Sequence, residues 1–213
     1  MKNKNVVLFC ILYLFGSSLT GCSRTKDYDQ LSWEQGRVIA DLTQQVAHLQ
    51  EELDRTKESK EELGRAKAEL ESKLKEELAG GGLSLALGER GLVVTVLDRV
   101  LFDSGKSELK KSAPSTLNKV AGVLNTKVSQ HLVYVEGHTD NEPIRYSGWR
   151  SNWELSTARA TEVIHYFIDS QGVQPGRLIA TGFGEYRPVA SNETAEGKVK
   201  NRRVEIVISP KKL

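Results

Sequence analysis

The 213 residues carry 30 Lys and Arg against 28 Asp and Glu, a formal net charge of +2, and 38% of the side chains are hydrophobic. Residues 22–79 lean acidic and residues 80–213 basic, but neither imbalance is that of a nucleic-acid binder, and the aromatic and aliphatic content of residues 83–208 is that of a globular fold. Two cysteines, Cys10 and Cys22, are too few for a disulfide framework or a multi-cysteine metal site, and no cofactor is indicated.

Lys2 and Lys4 precede an apolar run from Val6 to Phe15 and then the small-residue stretch Gly16 to Cys22. This is the pattern of a signal peptide over residues 1–21, and the run falls well short of the roughly 20 apolar residues of a spanning helix. Leu19-Thr20-Gly21-Cys22 resembles a lipobox, which implies cleavage before Cys22 and acylation of its thiol. Multiple acyl chains anchor stably, at about 0.8 kcal/mol per buried methylene. Cys10 would leave with the signal segment. Ser23 stands where lipoprotein families place an Asp for inner-membrane retention, so the resemblance implies lipid anchoring to the outer membrane, facing the periplasm.

After a short linker, residues 22–30, apolar residues fall on a heptad grid within residues 31–79. Ile39, Val46, Leu53 and Leu74 occupy one seam position and Leu42, Leu49, Leu63 and Leu70 the other, as in a coiled coil. Thr56, Lys60, Lys67 and Glu77 interrupt the seam and Gly64 weakens it. Two readings stay open: a stalk of ~70 Å that pairs as a homo-oligomer, or a lone charged helix acting as a spacer. Gly80 to Gly82 reads as a helix stop and flexible hinge, and residues 83–213 as one globular domain.

In that domain the period changes. Leu83–Leu87 and Leu92–Val96 read as strands around a turn, and Val100–Phe102 as an extension of the second strand or a short strand of its own. Pro114–Leu124 reads as an amphipathic helix, residues 131–137 as a strand and residues 153–170 as a long helix with a Ser151/Glu154 capping box. Strands over 177–182 and 203–209 with a short helix near 194–201 complete the order. The fold class is α/β, a mixed β-sheet with helices packed on one face and a coiled-coil helix before it.

Five stretches together resemble the OmpA-like peptidoglycan-binding domain family. They are Leu101-Phe102-Asp103-Ser104-Gly105, Glu136-Gly137-His138-Thr139-Asp140, residues 152–160 (Asn152-Trp153-Glu154-Leu155 onward), residues 182–188 and Asn201-Arg202-Arg203-Val204-Glu205. The resemblance implies binding to the diaminopimelate-type stem peptide of peptidoglycan, whose free end carries an ammonium and a carboxylate on one carbon. The family's Asp falls on Asp140 and its Arg on Arg159, with further contacts on Thr139, Asn152, Leu155, Phe102 and Asp103 and with Arg203 near the pocket wall. Arginine's planar fork suits a carboxylate. The loop 141–150 is longer than in the outer-membrane protein A type and resembles the motility protein B type.

Without the resemblance, Asp140 reads as a turn former and Arg159 as a solvated charge paired with Glu162. His138 and His165 read as structural; Trp149 and Trp153, flanking the start of the long helix, read as core or sugar-stacking, with core favoured for Trp153 and Trp149 unplaced. A tether between membrane and wall is therefore the leading expectation. Other readings are a docking component of an envelope machine, a stator-like part, and a wall-cleaving enzyme. A stator part lacks a carboxylate-bearing spanning helix, and an enzyme lacks an evident nucleophile, metal or carboxylate pair.

Overall fold

The computed structural model describes residues 4–145 and 148–210, with side chains from residue 30 onward. The side chains of the signal segment and Cys22, and Tyr146 and Ser147 in the 141–150 loop, lie outside the described residues. Helix α1 runs Lys4–Lys73, and among the described residues no helix is long and apolar enough to cross a membrane. The chain divides into two compact units, residues 1–54 and 55–213.

In the first unit, the seam residues Ile39, Leu42, Val46, Leu49 and Leu53 are more than half exposed. In the second, Leu63, Ala66, Leu70 and Leu74 are buried in the same core as the sheet. The heptad positions after Thr56 are thus covered by the chain's own domain, which begins on the helix, well before the glycines. Apolar stripes are buried wherever apolar surface lies within reach, and here the domain supplies it. Helix α1 ends at Lys73, and the short α2, Lys75–Ala79, follows after Leu74.

Strands β1, Leu83–Gly88, and β2, Gly91–Leu97, form an antiparallel hairpin. The following apolar run is helical: α3 covers Asp98–Leu101, and Phe102 makes only an isolated bridge to Leu109. A three-residue apolar run carries no periodicity to distinguish strand from helix. Helix α4, Ala113–Thr126, turns Leu117, Val120, Ala121 and Leu124 into the core. Strand β3, Val133–His138, is joined by helix α5, Asn152–Asp169, to its parallel neighbour β4, Leu178–Gly182. Helix α6, Ala195–Asn201, leads into β5, Arg203–Ile208, which inserts antiparallel between β2 and β3.

The sheet order is β1-β2-β5-β3-β4. Val94, Val96, Val133, Val135, Ile206 and Ile208 meet α4, α5 and the lower part of α1 in one core. Strand alternation sends Glu136 and Glu205 to the opposite face, where they are direct cross-strand partners. The expected capping box is absent: Ser151 makes no side-chain cap to α5, and Glu154 accepts instead from the Arg150 backbone N–H at 2.7 Å. Buried Arg177 serves as a C-terminal cap for α4, donating to the carbonyls of Leu124 (3.0 Å), Val128 (2.6 Å) and His131 (2.9 Å).

Candidate functional site

Two glycines set how closely α5 approaches the sheet. A Cβ at Gly137 would lie 2.0 Å from the Ser156 carbonyl oxygen, and one at Gly182 2.1 Å from Thr157 Oγ1. Only glycine at both lets the start of α5 lie on the ends of β3 and β4. The Ser156 hydroxyl accepts from Gly184 N–H at 3.0 Å, and Thr139 N–H donates to the Gly184 carbonyl at 2.9 Å. Asp140, one residue past that anchor, and Arg159, two turns into α5, therefore face a common space.

That space is a cavity of about 1040 Å³ between the α3 region, the 139–145 segment, α5 and the end of α6. Its charged lining is six basic residues, Arg99, Lys106, Lys110, Arg145, Arg159 and Arg202, against Asp98, Asp140 and Glu142. The excess of cations favours a ligand that brings carboxylates.

Arg159 is 3% exposed. Its Nε donates to the Lys106 carbonyl at 2.9 Å and Nη2 to that of Asp103 at 3.4 Å, and its guanidinium stands 5.2 Å over the Phe102 ring. Nη1 lies 3.0 Å from Asp98 Oδ1. The spacing is that of an ion pair, but among the described residues no N–H is aimed at that oxygen, which has no directed hydrogen bond there. Burial pushes the Asp98 carboxyl above its ordinary range despite the attraction of Arg159, and burial likewise lowers the Arg159 pKa. Asp140, 5% exposed, accepts from Arg202 on one oxygen and from Glu142 N–H at 3.2 Å on the other. Asn152 Nδ2 braces the turn, donating to the Glu142 carbonyl at 3.1 Å. The buried Thr139 hydroxyl has no partner among the described residues.

Of the residues expected at the site, Phe102, Thr139, Asp140, Asn152, Leu155 and Arg159 line the cavity. Asp103 contributes its backbone carbonyl, while its side chain is largely exposed and pairs with Lys110 at 3.5 Å. Arg203 does not line the cavity. It lies on the face of the sheet opposite the core, donating to Glu205 Oε1 at 2.7 Å and to the Arg187 carbonyl at 3.2 Å. Its neighbour Arg202 takes the place at the wall, because adjacent residues entering a strand point to opposite sides. Arg159 pairs with Asp98, not with Glu162. Trp153 is 47% exposed rather than core, and stacks on Tyr186. Asp98 had no signal in the sequence beyond being a carboxylate at a strand end.

On that same face of the sheet, opposite the core, Glu136, His138 and Glu205 bring ligand-type atoms within 4.8 Å of one another. Both carboxylates are already engaged, since Arg90 bridges Glu136 and Glu205 and Arg203 holds Glu205. Two carboxylates compensated by two guanidiniums make an ionic cluster that a cation would have to disrupt. Burial alone would raise the Glu136 carboxyl, but His138 and Arg90 together outweigh it and hold it below its ordinary value.

Residues 101–202 match the family described as OmpA family. Motility protein B of Bacillus subtilis is 37% identical over 151 residues, 71% of this chain and 58% of that protein. The probable lipoprotein YiaD of Escherichia coli is 39% identical over 140 residues, 66% of this chain and 61% of that protein. The chain thus spans about three fifths of the length of either relative. The solved cell wall anchor of the T6SS from Pseudomonas aeruginosa superposes with a TM-score of 0.60 at 33% identity, over 66% of this chain and 96% of that one. The chain belongs to the OmpA family. The OmpA match opens at Leu101 and closes at Arg202, so it takes in Asp140 and Arg159 and leaves Asp98 just outside. The mixed five-stranded sheet with its helices is the fold of these OmpA-family relatives.

Proposed function

We propose that this protein binds peptidoglycan non-covalently through the diaminopimelate end of the stem peptide and, held by acylated Cys22, tethers the outer membrane to the wall. The observation that carries the reading is one cation-rich cavity in which a buried carboxylate, Asp140, and a buried guanidinium, Arg159, face the same space. A group bearing an ammonium and a carboxylate on one carbon needs both. Each Asp140 oxygen has one protein donor, and a carboxylate offers about four lone-pair sites, leaving room for an ammonium. Arg159 holds its pose through two backbone carbonyls and the Asp98 charge, and its remaining N–H groups are available to a carboxylate. The lining arginines and lysines attract the other carboxylates of the peptide.

The role is binding rather than cleavage, and the resemblance to a cell wall anchor supports it. The exposed seam from Ile39 to Leu53 supports pairing of the stalk between copies, with β-branched Ile39 and Val46 at one position and Leu42 and Leu49 at the other favouring two strands. A docking role in an envelope machine is the second reading, favoured by the likeness to Motility protein B and to the T6SS anchor.

The test is a pull-down of the full chain on sacculi containing diaminopimelate and on walls containing lysine. Binding to the first, with tenfold or greater loss on lysine walls, is expected, because an unpaired buried Arg159 costs more than the roughly 1 to 3 kcal/mol of a neutral donor. Absence of binding to both walls would overturn the reading. Falling turbidity of a wall suspension would overturn the non-enzymatic part of it.

A further inference from the structure

Helix α5 presents two adjacent edges to two different spaces. Asn152, Leu155 and Arg159 line the charged cavity, while Trp153, Thr157, Thr161 and His165, each four residues on, line a second, shallower groove of about 550 Å³. The two spaces share a wall. Gly105 and Lys106 border the cavity, Ser107 borders the groove, and Trp149, also in the groove, donates its indole N–H to the Gly105 carbonyl at 3.1 Å.

Trp153 and Tyr186 are 47% and 63% exposed, stacked with centroids 5.2 Å apart and planes at 23°. The stack orients one indole and the hydrogen bond to Gly105 the other, so neither needs much ordering when a ligand arrives. Around the rings stand the carboxylates of Glu154 and Glu162 and the hydroxyls of Thr157 and Thr161. Those hydroxyls donate to the carbonyls of Trp153 (2.8 Å) and Thr157 (2.9 Å), which turns their lone pairs to acceptor duty. A fixed aromatic surface rimmed by acceptors, next to a peptide-binding cavity, matches a pyranose ring with an apolar C–H face and hydroxyl and amide donors at its edge.

We infer that this groove is a sugar subsite, in which an N-acetylated hexose of the glycan strand packs on Trp153 while the stem peptide occupies the cavity. The inference rests on the peptide-binding reading of the cavity and extends it from the peptide to the strand that carries it.

The experiment is calorimetry on the full chain in detergent with two probes. One is the free stem tetrapeptide containing diaminopimelate, and the other is the same peptide attached to its disaccharide of N-acetylglucosamine and N-acetylmuramic acid. The disaccharide form is expected to bind about fivefold more tightly, the scale of one aromatic contact. Trp153→Ala is expected to abolish that advantage and leave the affinity for the free peptide unchanged, and Trp153→Phe to keep part of it. Equal affinity of the wild type for both probes, an advantage that survives Trp153→Ala, or equal weakening of both probes by that substitution overturns the sugar subsite and leaves the cavity reading standing. Failure of the wild type to bind either probe removes the cavity reading, and the subsite with it.

Discussion

Two ionic clusters, each of two carboxylates and two guanidiniums, stand in the same domain and are used in opposite ways. On the sheet face opposite the core, Arg90 spans Glu136 and Glu205 while Arg203 holds Glu205, so every carboxylate meets a directed donor. In the cavity, Arg159 and Asp98 attract without a directed hydrogen bond, and Asp140 shares its oxygens between Arg202 and a backbone N–H. A saturated cluster fixes the packing of strands. An under-saturated one keeps donors and acceptors for a ligand, and it persists only because the surrounding fold enforces it.

Substitutions that treat the two clusters differently test this contrast. The largest effect is expected from Arg159→Ala, which leaves the buried Asp98 without its ion-pair partner. It should cost about 3 to 5 kcal/mol of unfolding free energy in urea denaturation and abolish sacculus binding. If stability falls while binding stays intact, the cavity pair is structural and the contrast disappears. Asp140→Asn keeps the shape and should lower sacculus affinity tenfold or more with little change in unfolding, since Arg202 reaches water. Arg90→Met should do the reverse, with wall binding unchanged and stability lower by about 1 to 2 kcal/mol, below the full cost of a broken buried pair because Arg90 is half exposed.

The smallest effect concerns pH. The Glu136 carboxyl lies below its ordinary value of 4.5 in the folded chain. Its stabilising contribution is therefore present above pH 4.5 and lost as pH falls through the lower folded value. The stability difference between wild type and Glu136→Gln should narrow on acidification below pH 4.5, as read by thermal unfolding across a pH series. A difference that stays constant to pH 3 would show that Glu136 gains nothing from its partners.

Most of the sheet and both long helices of the domain were legible from alternation and helical period, because each element buries one face. Val100–Phe102 was not, since three apolar residues fit a strand and a helix equally. Asp140 and Arg159 were marked by motif, whereas their partners were hidden. Asp98 and Arg202 earn their positions through a strand end and a helix end that converge only in three dimensions, and the same convergence decided that Arg202, not Arg203, meets the cavity. Trp153 was misplaced for a related reason: helix periodicity fixes a relative face but not which of two neighbouring spaces that face adjoins. The heptad grid was visible along its whole length, but a grid cannot say whether another copy or the chain's own domain covers it.

That last distinction has a mechanical consequence. Between Ser59 and Leu78 the helical segment is fastened to the domain by Leu63, Ala66, Leu70 and Leu74 in the core, by Glu77–Lys119 at 2.6 Å on α4 and Glu69–Lys127 at 3.3 Å just past its end, and by Ser59 beside His131 at 3.4 Å. Tension applied to the chain ahead of Arg55 meets these attachments before it reaches any strand. The glycines at 80–82 and the edge strand β1 lie downstream of that joint and carry load only after it has slipped, so the part of the protein that resists pulling is a helix seated in a core, and the peeling of strands from an exposed edge is deferred.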